Sequence, residues 1–242
     1  MEPVREMTFY LLSKSLSDIR KEVEDSEPPE DLDHFIAKLG VSPGLKAWMT
    51  KHDRVDLAGS VFVKEISADD IIDVPEFLSA YRDQNGAALH EGVPEPKYKN
   101  SEEQKDPAKY QRQKEQYRQA LRRYIQAHPD LMQGLDAEFN DLNPYPRWRK
   151  VQAEQQQRVE QHTMQLAQTR YLVGTTTTNL SGRAAFEGLG PGQYWISNLD
   201  TPALTGDLRL RWDVPVVVPA AKTARIELSN LNTIETAEQL AR

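Results

Sequence analysis

Five histidines are the residues of this sequence best suited to hold a transition metal. They are scattered along the chain without a His-x-x-x-His or Glu-x-x-His pair: His34, His52, His90, His128 and His162. Metal sites need ligands that converge from defined spacings, and the chain has no cysteine to supply a thiolate. The sequence therefore predicts no metal site and no cofactor.

Carboxylates are concentrated at two places, where a pair of them could serve acid–base chemistry. One run lies between Glu22 and Asp33, and the other comprises Asp69, Asp70 and Asp73. Both lie near predicted helix starts, where the positive end of the helix dipole favours negative side chains without any catalytic role. This position favours a structural role for the acids.

A nucleophilic active site has no motif in this sequence either. There is no Gly-x-Ser-x-Gly, and the glycine-rich segment 188–192 lacks the Lys-Ser/Thr that follows in a phosphate-binding loop. That segment is predicted to be a turn between two strands. We therefore expect a protein that is not an enzyme.

One candidate binding surface combines an aromatic ring with basic side chains. In a strand, Trp195 faces away from Tyr194 and Ile196, and Arg209 and Arg211 face outward on a nearby strand. A tryptophan near arginines can stack on a sugar or anchor a protein partner. The alternative is that Trp195 is covered by helices, and the sequence favours that alternative because the helices need a surface to pack on.

A second candidate surface is a stripe of tyrosines on a predicted helix. Tyr110, Tyr117 and Tyr124 recur every seven residues, with Leu121 and Ile125 beside them. Such a stripe suits a seam between two helices better than an open binding platform, although Tyr110 and Tyr117 remain candidate contact residues.

The composition of the 242 residues carries no sign of a nucleic-acid or membrane protein. The net charge is −7, whereas a nucleic-acid binder is expected to carry a basic stripe. No apolar run approaches the ~20 residues of a membrane span, and the first residues lack the charged-then-apolar layout of a signal peptide. We expect no nucleic-acid partner and no membrane span in this sequence.

Most of residues 13–170 is predicted to be helical. Ser15, Ser42 and Ser67 each precede a stretch with apolar residues at helical spacing, and Asp106 precedes a long one. A second long helix runs from about Tyr145 to Thr169, and the two long helices are expected to form an antiparallel hairpin. The stretch 61–63, Val-Phe-Val, is ambiguous between strand and helix.

The last third of the chain alternates apolar and polar residues with the period of two that marks a strand. The alternating stretches are 182–187, with Ala184 and Phe186 inward, 208–218 with a single parity, and 223–228. Turn sequences lie at 179–182 and 189–192. The pattern predicts antiparallel strands of a small β-sandwich.

The order of these segments resembles a known family. A Thr-rich strand is followed by an Asn-x-x-Gly-Arg turn at 179–183 and by Phe-x-Gly-Leu-x-Pro-Gly-x-Tyr at 186–194. This is similar to the carboxypeptidase regulatory-like domain, a transthyretin-like sandwich common in bacterial cell-envelope proteins, and the resemblance covers residues 175–230.

The same family carries a Pro-Val strand just upstream, and the nearest match here is at the other end of the chain, in residues 3–12. We interpret this segment as a strand of the same sandwich. The alternative places Met7–Leu12 in the first helix of a separate domain. The family's usual first strand, a Gly-x-Val segment, is absent.

The expected fold is therefore α+β: a transthyretin-like antiparallel β-sandwich split by a long, mostly helical insertion that contains a helical hairpin. The sandwich comprises residues 3–12 and 171–230, the insertion 13–170, and the tail 231–242.

The resemblance implies a non-enzymatic interaction or scaffold module outside the cytoplasm, periplasmic or at the cell surface. It also implies an export signal or anchor that this sequence lacks. The helical insertion would contact a protein partner or a second copy of the chain. The alternative is a carbohydrate-binding module that uses Trp195.

Overall fold

The computed structural model describes five stretches of the chain: residues 3–86, 93–99, 103–205, 208–220 and 222–234. His90, part of the predicted connection between residues 86 and 106, and most of the predicted tail lie outside these stretches. The chain divides into two compact units, one of Met1–Pro29 with Ala153–Arg242 and one of Glu30–Gln152. These bounds differ from the predicted insertion at 13–170.

The fold is mixed α+β, as the sequence predicts. In chain order the elements are β1 (Thr8–Leu12), α1 (Leu16–Ser26), α2 (Leu32–Ala37), α3 (Pro43–Lys51), α4 (Gly59–Glu65), α5 (Ala68–Asp73), α6 (Pro75–Gly86), α7 (Pro107–Ala127), the 3-10 helices Pro129–Met132 and Leu135–Phe139, α8 (Tyr145–Thr169), β2 (Leu172–Thr177), β3 (Gly192–Ser197), β4 (Ala203–Thr205), β5 (Leu208–Leu210) and β6 (Asp213–Val218).

The main sheet has four antiparallel strands in the order β2-β1-β3-β6. β1 lies between strands from the far end of the chain, with Phe9 opposite Thr176 on β2 and Leu11 opposite Ile196 on β3. The prediction that the opening residues supply a strand to the closing ones is thereby confirmed for Thr8–Leu12. The alternative of a helix there is wrong.

The two faces of this sheet are covered differently. On one face, Phe9, Leu11 and Ile196 pack with residues of the β4–β5 hairpin and with Trp212. On the other, Leu12 packs with α1 and with the C-terminal half of α8. The alternation along β1 therefore divides its side chains between two separate apolar clusters.

The predicted single strand at 208–218 is two strands in two sheets. β5 pairs with β4 in a two-stranded sheet, whereas β6 pairs with β3. Asn198 stabilises the backbone between β5 and β6. Its Oδ1 accepts from the Trp212 N–H (2.8 Å) and its Nδ2 donates to the Leu210 carbonyl (3.0 Å). Leu210 and Trp212 are both buried. The alternation of buried and exposed residues therefore continues from β5 to β6, although the hydrogen-bonded pairing between strands is interrupted there.

Two other predicted strands do not form. In 182–187, Phe186 packs on the core but Ala184 is exposed, which contradicts the predicted inward face. In 223–228 the burial alternates as predicted, with Ile226 and Leu228 against the core, yet the segment belongs to no ladder of the described residues. Period two indicates which side of a chain is buried, and it does not establish that a neighbouring strand lies within hydrogen-bonding reach.

The turn at 179–182 is confirmed in detail. Asn179 Oδ1 accepts from the backbone N–H of Ser181 (2.9 Å) and Arg183 (3.0 Å). Gly182 has φ 73°, and a Cβ there would lie 2.8 Å from Pro3 Cβ. Only glycine fits this position, since both the left-handed backbone and the close approach of Pro3 exclude a side chain.

The predicted helix starts are also confirmed. The side chains of Ser15, Ser42, Ser67 and Asp106 each accept a hydrogen bond from a backbone N–H in the first turn of the helix that follows. The ambiguous stretch 61–63 lies inside α4, so the strand interpretation is wrong.

The predicted antiparallel hairpin of the two long helices, α7 and α8, stays a prediction. α7 packs against α5, where Arg122 pairs with Asp69 at 2.5 Å. The segment that was expected to be a simple connection forms the two 3-10 helices, and its Leu135 and Phe139 are fully buried. This segment therefore contributes to the core of the unit Glu30–Gln152.

A substitution at Leu12 measures how much β1 contributes to the stability of the protein. Leu12→Ala should lower the free energy of unfolding by roughly 2–5 kcal/mol, because it leaves a cavity at a fully buried position between the sheet, α1 and α8. Urea denaturation followed by circular dichroism measures this change. Leu204→Ala is the matched control, since Leu204 is 72% exposed. Equal effects of the two substitutions would contradict the central position of β1.

Candidate functional site

Trp195 lies on the sheet face that the helices cover. It is half-buried and packs with Leu12 of β1, Leu16 and Ile19 of α1 and Ala167 of α8. This is the covered position that the sequence favours. Packing against α1 and α8 leaves less of the indole face available to stack on a sugar.

The two predicted basic partners of Trp195 lie elsewhere in the same unit. Arg209 is exposed on β5 opposite Leu204, and its neighbour Leu210 packs in the cluster on the opposite face of the main sheet. Arg211 is half-buried, and its carbonyl accepts from the Ile234 N–H at 2.9 Å. Trp195 packs on the face of the main sheet opposite the cluster that contains the neighbour of Arg209, and the role of Arg211 in a binding surface stays a prediction.

The tyrosine stripe of α7 faces the interior. Tyr110 and Tyr117 are both buried, and the ring of Tyr98 meets them edge-on at 5.2 Å and 6.0 Å. Arg82 of α6 donates to the Tyr117 hydroxyl. Burial raises the pKa of Tyr98 above its ordinary value. Tyr110 and Tyr117 thus form a seam, but with an irregular segment and α6 in place of the expected second helix.

The histidines and acids of the described residues have local partners. His162 lies 2.9 Å from Glu27, and His52 stacks on the Trp48 ring at 4.4 Å. Asp70 belongs to the capping box of α5. Within the stretches that the structure describes, no group of three His, Asp or Glu side chains is placed to hold a metal ion.

The Glu22 carboxylate of α1 accepts hydrogen bonds from two cationic side chains and a hydroxyl. Glu22 accepts from Lys14 Nζ (2.5 Å), from the Tyr171 hydroxyl (2.6 Å) and from Arg170 (2.9 Å). The hydrogen bond from Lys14 lowers the pKa of Glu22, and the same bond raises the pKa of Lys14. Opposite charges and hydrogen bonds already satisfy each other here, so the cluster offers little to a ligand.

The helical unit, Glu30–Gln152, carries an open groove of about 360 Å³. We call it the α6 groove. It is lined by one face of α6, by the second 3-10 helix and by a residue three positions beyond that helix: Pro75, Glu76, Ser79, Ala80, Asp83, Glu138 and Leu142. The sequence pattern gives no sign of this groove, because its walls come from segments far apart in the chain.

Buried contacts fix the width of the α6 groove. Phe77 on α6 meets Phe139 on the 3-10 helix edge-on, with ring centroids 5.4 Å apart. Asn85, at the end of α6, is buried and donates to the Leu131 carbonyl at 3.3 Å. The Phe77–Phe139 contact joins α6 to the second 3-10 helix from the core side, and the Asn85 hydrogen bond joins α6 to the first one, so the groove is preformed.

The lining of the α6 groove combines apolar and acidic residues. Ala80 is buried, and Leu142 is 44% exposed although it is a large apolar residue. Glu76 is occupied, since its two oxygens accept from the backbone N–H and the hydroxyl of Ser42 at 2.7 Å and 2.6 Å. The groove can therefore cover an apolar group and present carboxylates to whatever carries it.

Asp213 is a half-buried residue on the polar face of the alternating stretch 208–218. That face is the one covered by α1, and Asp213 Oδ2 accepts from the Leu16 N–H at 2.7 Å. Oδ1 is buried without a hydrogen-bond partner among the described residues. Burial raises the pKa of Asp213 to about 6, and it outweighs the backbone N–H groups of Leu16 and Ser17, which lower it.

No protein-family model, no curated protein and no solved structure matches this chain. Among the helices of the described residues, none combines the length and the apolar character needed to cross a bilayer.

Asp213 should make the stability of the protein depend on pH. Its ordinary pKa is 3.8, so the folded state binds the proton more tightly than the unfolded state, and stability falls as pH rises from about 4 to about 6. Asp213→Asn cannot ionise and keeps an oxygen for the Leu16 N–H. Urea denaturation at several pH values should show the variant gaining on the wild type through this window, with no further gain above it.

The control for this measurement is Asp200→Asn, which changes an exposed carboxylate in the same unit. Its stability should follow the wild type at every pH. A constant difference between Asp213→Asn and the wild type from pH 4 to pH 7 would show that Asp213 ionises normally in the folded protein.

Proposed function

We propose that this protein is a non-enzymatic interaction module whose helical unit binds a protein partner in the α6 groove. The observation that carries the proposal is the groove itself, a preformed concavity of about 360 Å³ with Leu142 exposed at its edge. An exposed large apolar side chain beside a rigid concavity suits a docking surface.

The sheet-bearing unit would be the frame that presents the helical unit. Its proposed relation to transthyretin-like sandwiches of the carboxypeptidase regulatory-like family is supported by the pairing of β1 with β2 and β3. It is also supported by the Asn179 turn and by the Tyr194 hydroxyl, which donates to the Gly190 carbonyl at 3.1 Å within the Gly-Leu-x-Pro-Gly-x-Tyr segment. With this relation goes the proposal of a periplasmic or cell-surface location.

A protein partner suits the observations better than a glycan. The aromatic residue proposed for sugar stacking, Trp195, is half-buried under α1 and α8. The α6 groove offers apolar residues and carboxylates instead of an open aromatic ring, and sugar-binding sites depend on such rings.

Site-specific photo-crosslinking tests the proposal. A benzoylphenylalanine placed at Leu142, in cells that produce the protein, should give an adduct with one protein upon irradiation, because this position borders the occupied groove. Mass spectrometry of the adduct identifies the partner, and an adduct of twice the subunit mass would identify a second copy of the chain.

Two control variants of the protein show whether the adduct is specific to the groove. The photo-reactive residue at Val61, which is 58% exposed on α4 of the same unit, should give no such adduct. Ser79→Arg fills the groove from an exposed position, so it should remove the adduct formed at position 142. An equal adduct at position 61, or none at position 142, would contradict the proposed function.

A further inference from the structure

The carboxylates of Asp83 and Glu138 differ from that of Asp69 in that no cationic side chain of the described residues pairs with them. Asp69, on α5, is paired with Arg122 at 2.5 Å. Asp83 accepts from the Ser79 hydroxyl at 3.2 Å, a neutral donor on its own helix. In the described part of the chain no cation pairs with Asp83 or Glu138, although both line the α6 groove and both are exposed.

The apolar residues that line the same groove set a second requirement. Pro75, Ala80 and Leu142 give the groove apolar surface that water covers poorly. A ligand that is only charged would leave this surface exposed, and a ligand that is only apolar would take the two carboxylates out of water without a partner. The chemistry that satisfies both is an apolar side chain flanked by ammonium or guanidinium groups.

We propose that the α6 groove recognises a cationic segment of its protein partner, in which lysine or arginine flanks an apolar side chain. The inference rests on the proposed function and names the chemistry of its ligand. The net charge of −7 on the whole chain favours approach of a cationic segment from a distance, while Asp83 and Glu138 fix where it binds.

Fluorescence anisotropy with defined peptides tests this inference on the full chain. One fluorescein-labelled peptide repeats the unit Lys-Leu-Lys-Ser, and a second has glutamine in place of every lysine. The lysine peptide should bind the wild-type protein about threefold to tenfold more tightly than the glutamine peptide, as expected for two exposed ion pairs. Added salt should reduce this preference.

Two double variants separate the groove from the general charge of the chain. D83N/E138Q removes the groove carboxylates, and D33N/E160Q removes two exposed carboxylates elsewhere. The first should lose the preference for the lysine peptide, and the second should keep it. Because all four positions are exposed, both variants are expected to fold, which circular dichroism checks.

The outcomes distinguish this inference from the proposed function. Equal loss in both double variants, or no binding of the lysine peptide, overturns the cationic segment as ligand. If the adduct at position 142 still forms in that case, the interaction module stands and its partner has another chemistry. If the lysine peptide does not bind and no adduct forms, both proposals fail.

Discussion

The fold depends on one strand that is hydrogen-bonded on both sides. β1 separates β2 from β3, and the backbone N–H of Met7, just before it, donates to the Thr178 hydroxyl across 171 residues of sequence. Closing a loop of that length in a flexible chain costs on the order of 5 kcal/mol. Burial of Phe9, Leu11 and Leu12, at roughly 1.5–3 kcal/mol each, is enough to offset it. The sheet therefore exists because these few apolar residues at the start of the chain pack on both of its faces.

The sequence predicted the starts of helices well and the pairing of strands less well. Capping by Ser15 or Ser67 involves atoms within one turn of helix, so the residues themselves carry the information. The parity of 208–218 identified Leu210 and Trp212 as buried, but it did not indicate that α1 covers Asp213 or that the stretch changes sheet. The change of sheet depends on Asn198 binding two backbone groups. Pairing in a sheet depends on two segments of the chain, whereas the alternation of apolar and polar residues describes only one of them.

The candidate site shows the same limit more strongly. Trp195 and the tyrosines are visible in the sequence because aromatic residues at regular spacing are conspicuous, and the structure uses them for packing. The α6 groove is formed by Ala80 and Leu142, residues without a distinctive type or spacing. Its shape is set by Phe77 against Phe139. A concavity made by two remote segments has no signature in either segment alone.

The interior position of β1 has a consequence for synthesis on the ribosome. Its partner β3 ends at Ser197, so at about 5–20 residues per second β1 waits roughly 10–40 s for its second neighbour to be translated. Throughout that interval Phe9, Leu11 and Leu12 emerge from the exit tunnel with no sheet to join, while residues 30–152 can already collapse into their own core. During this interval the nascent chain exposes apolar residues that the folded sheet buries, and such extended apolar sequence is the kind that chaperones shield.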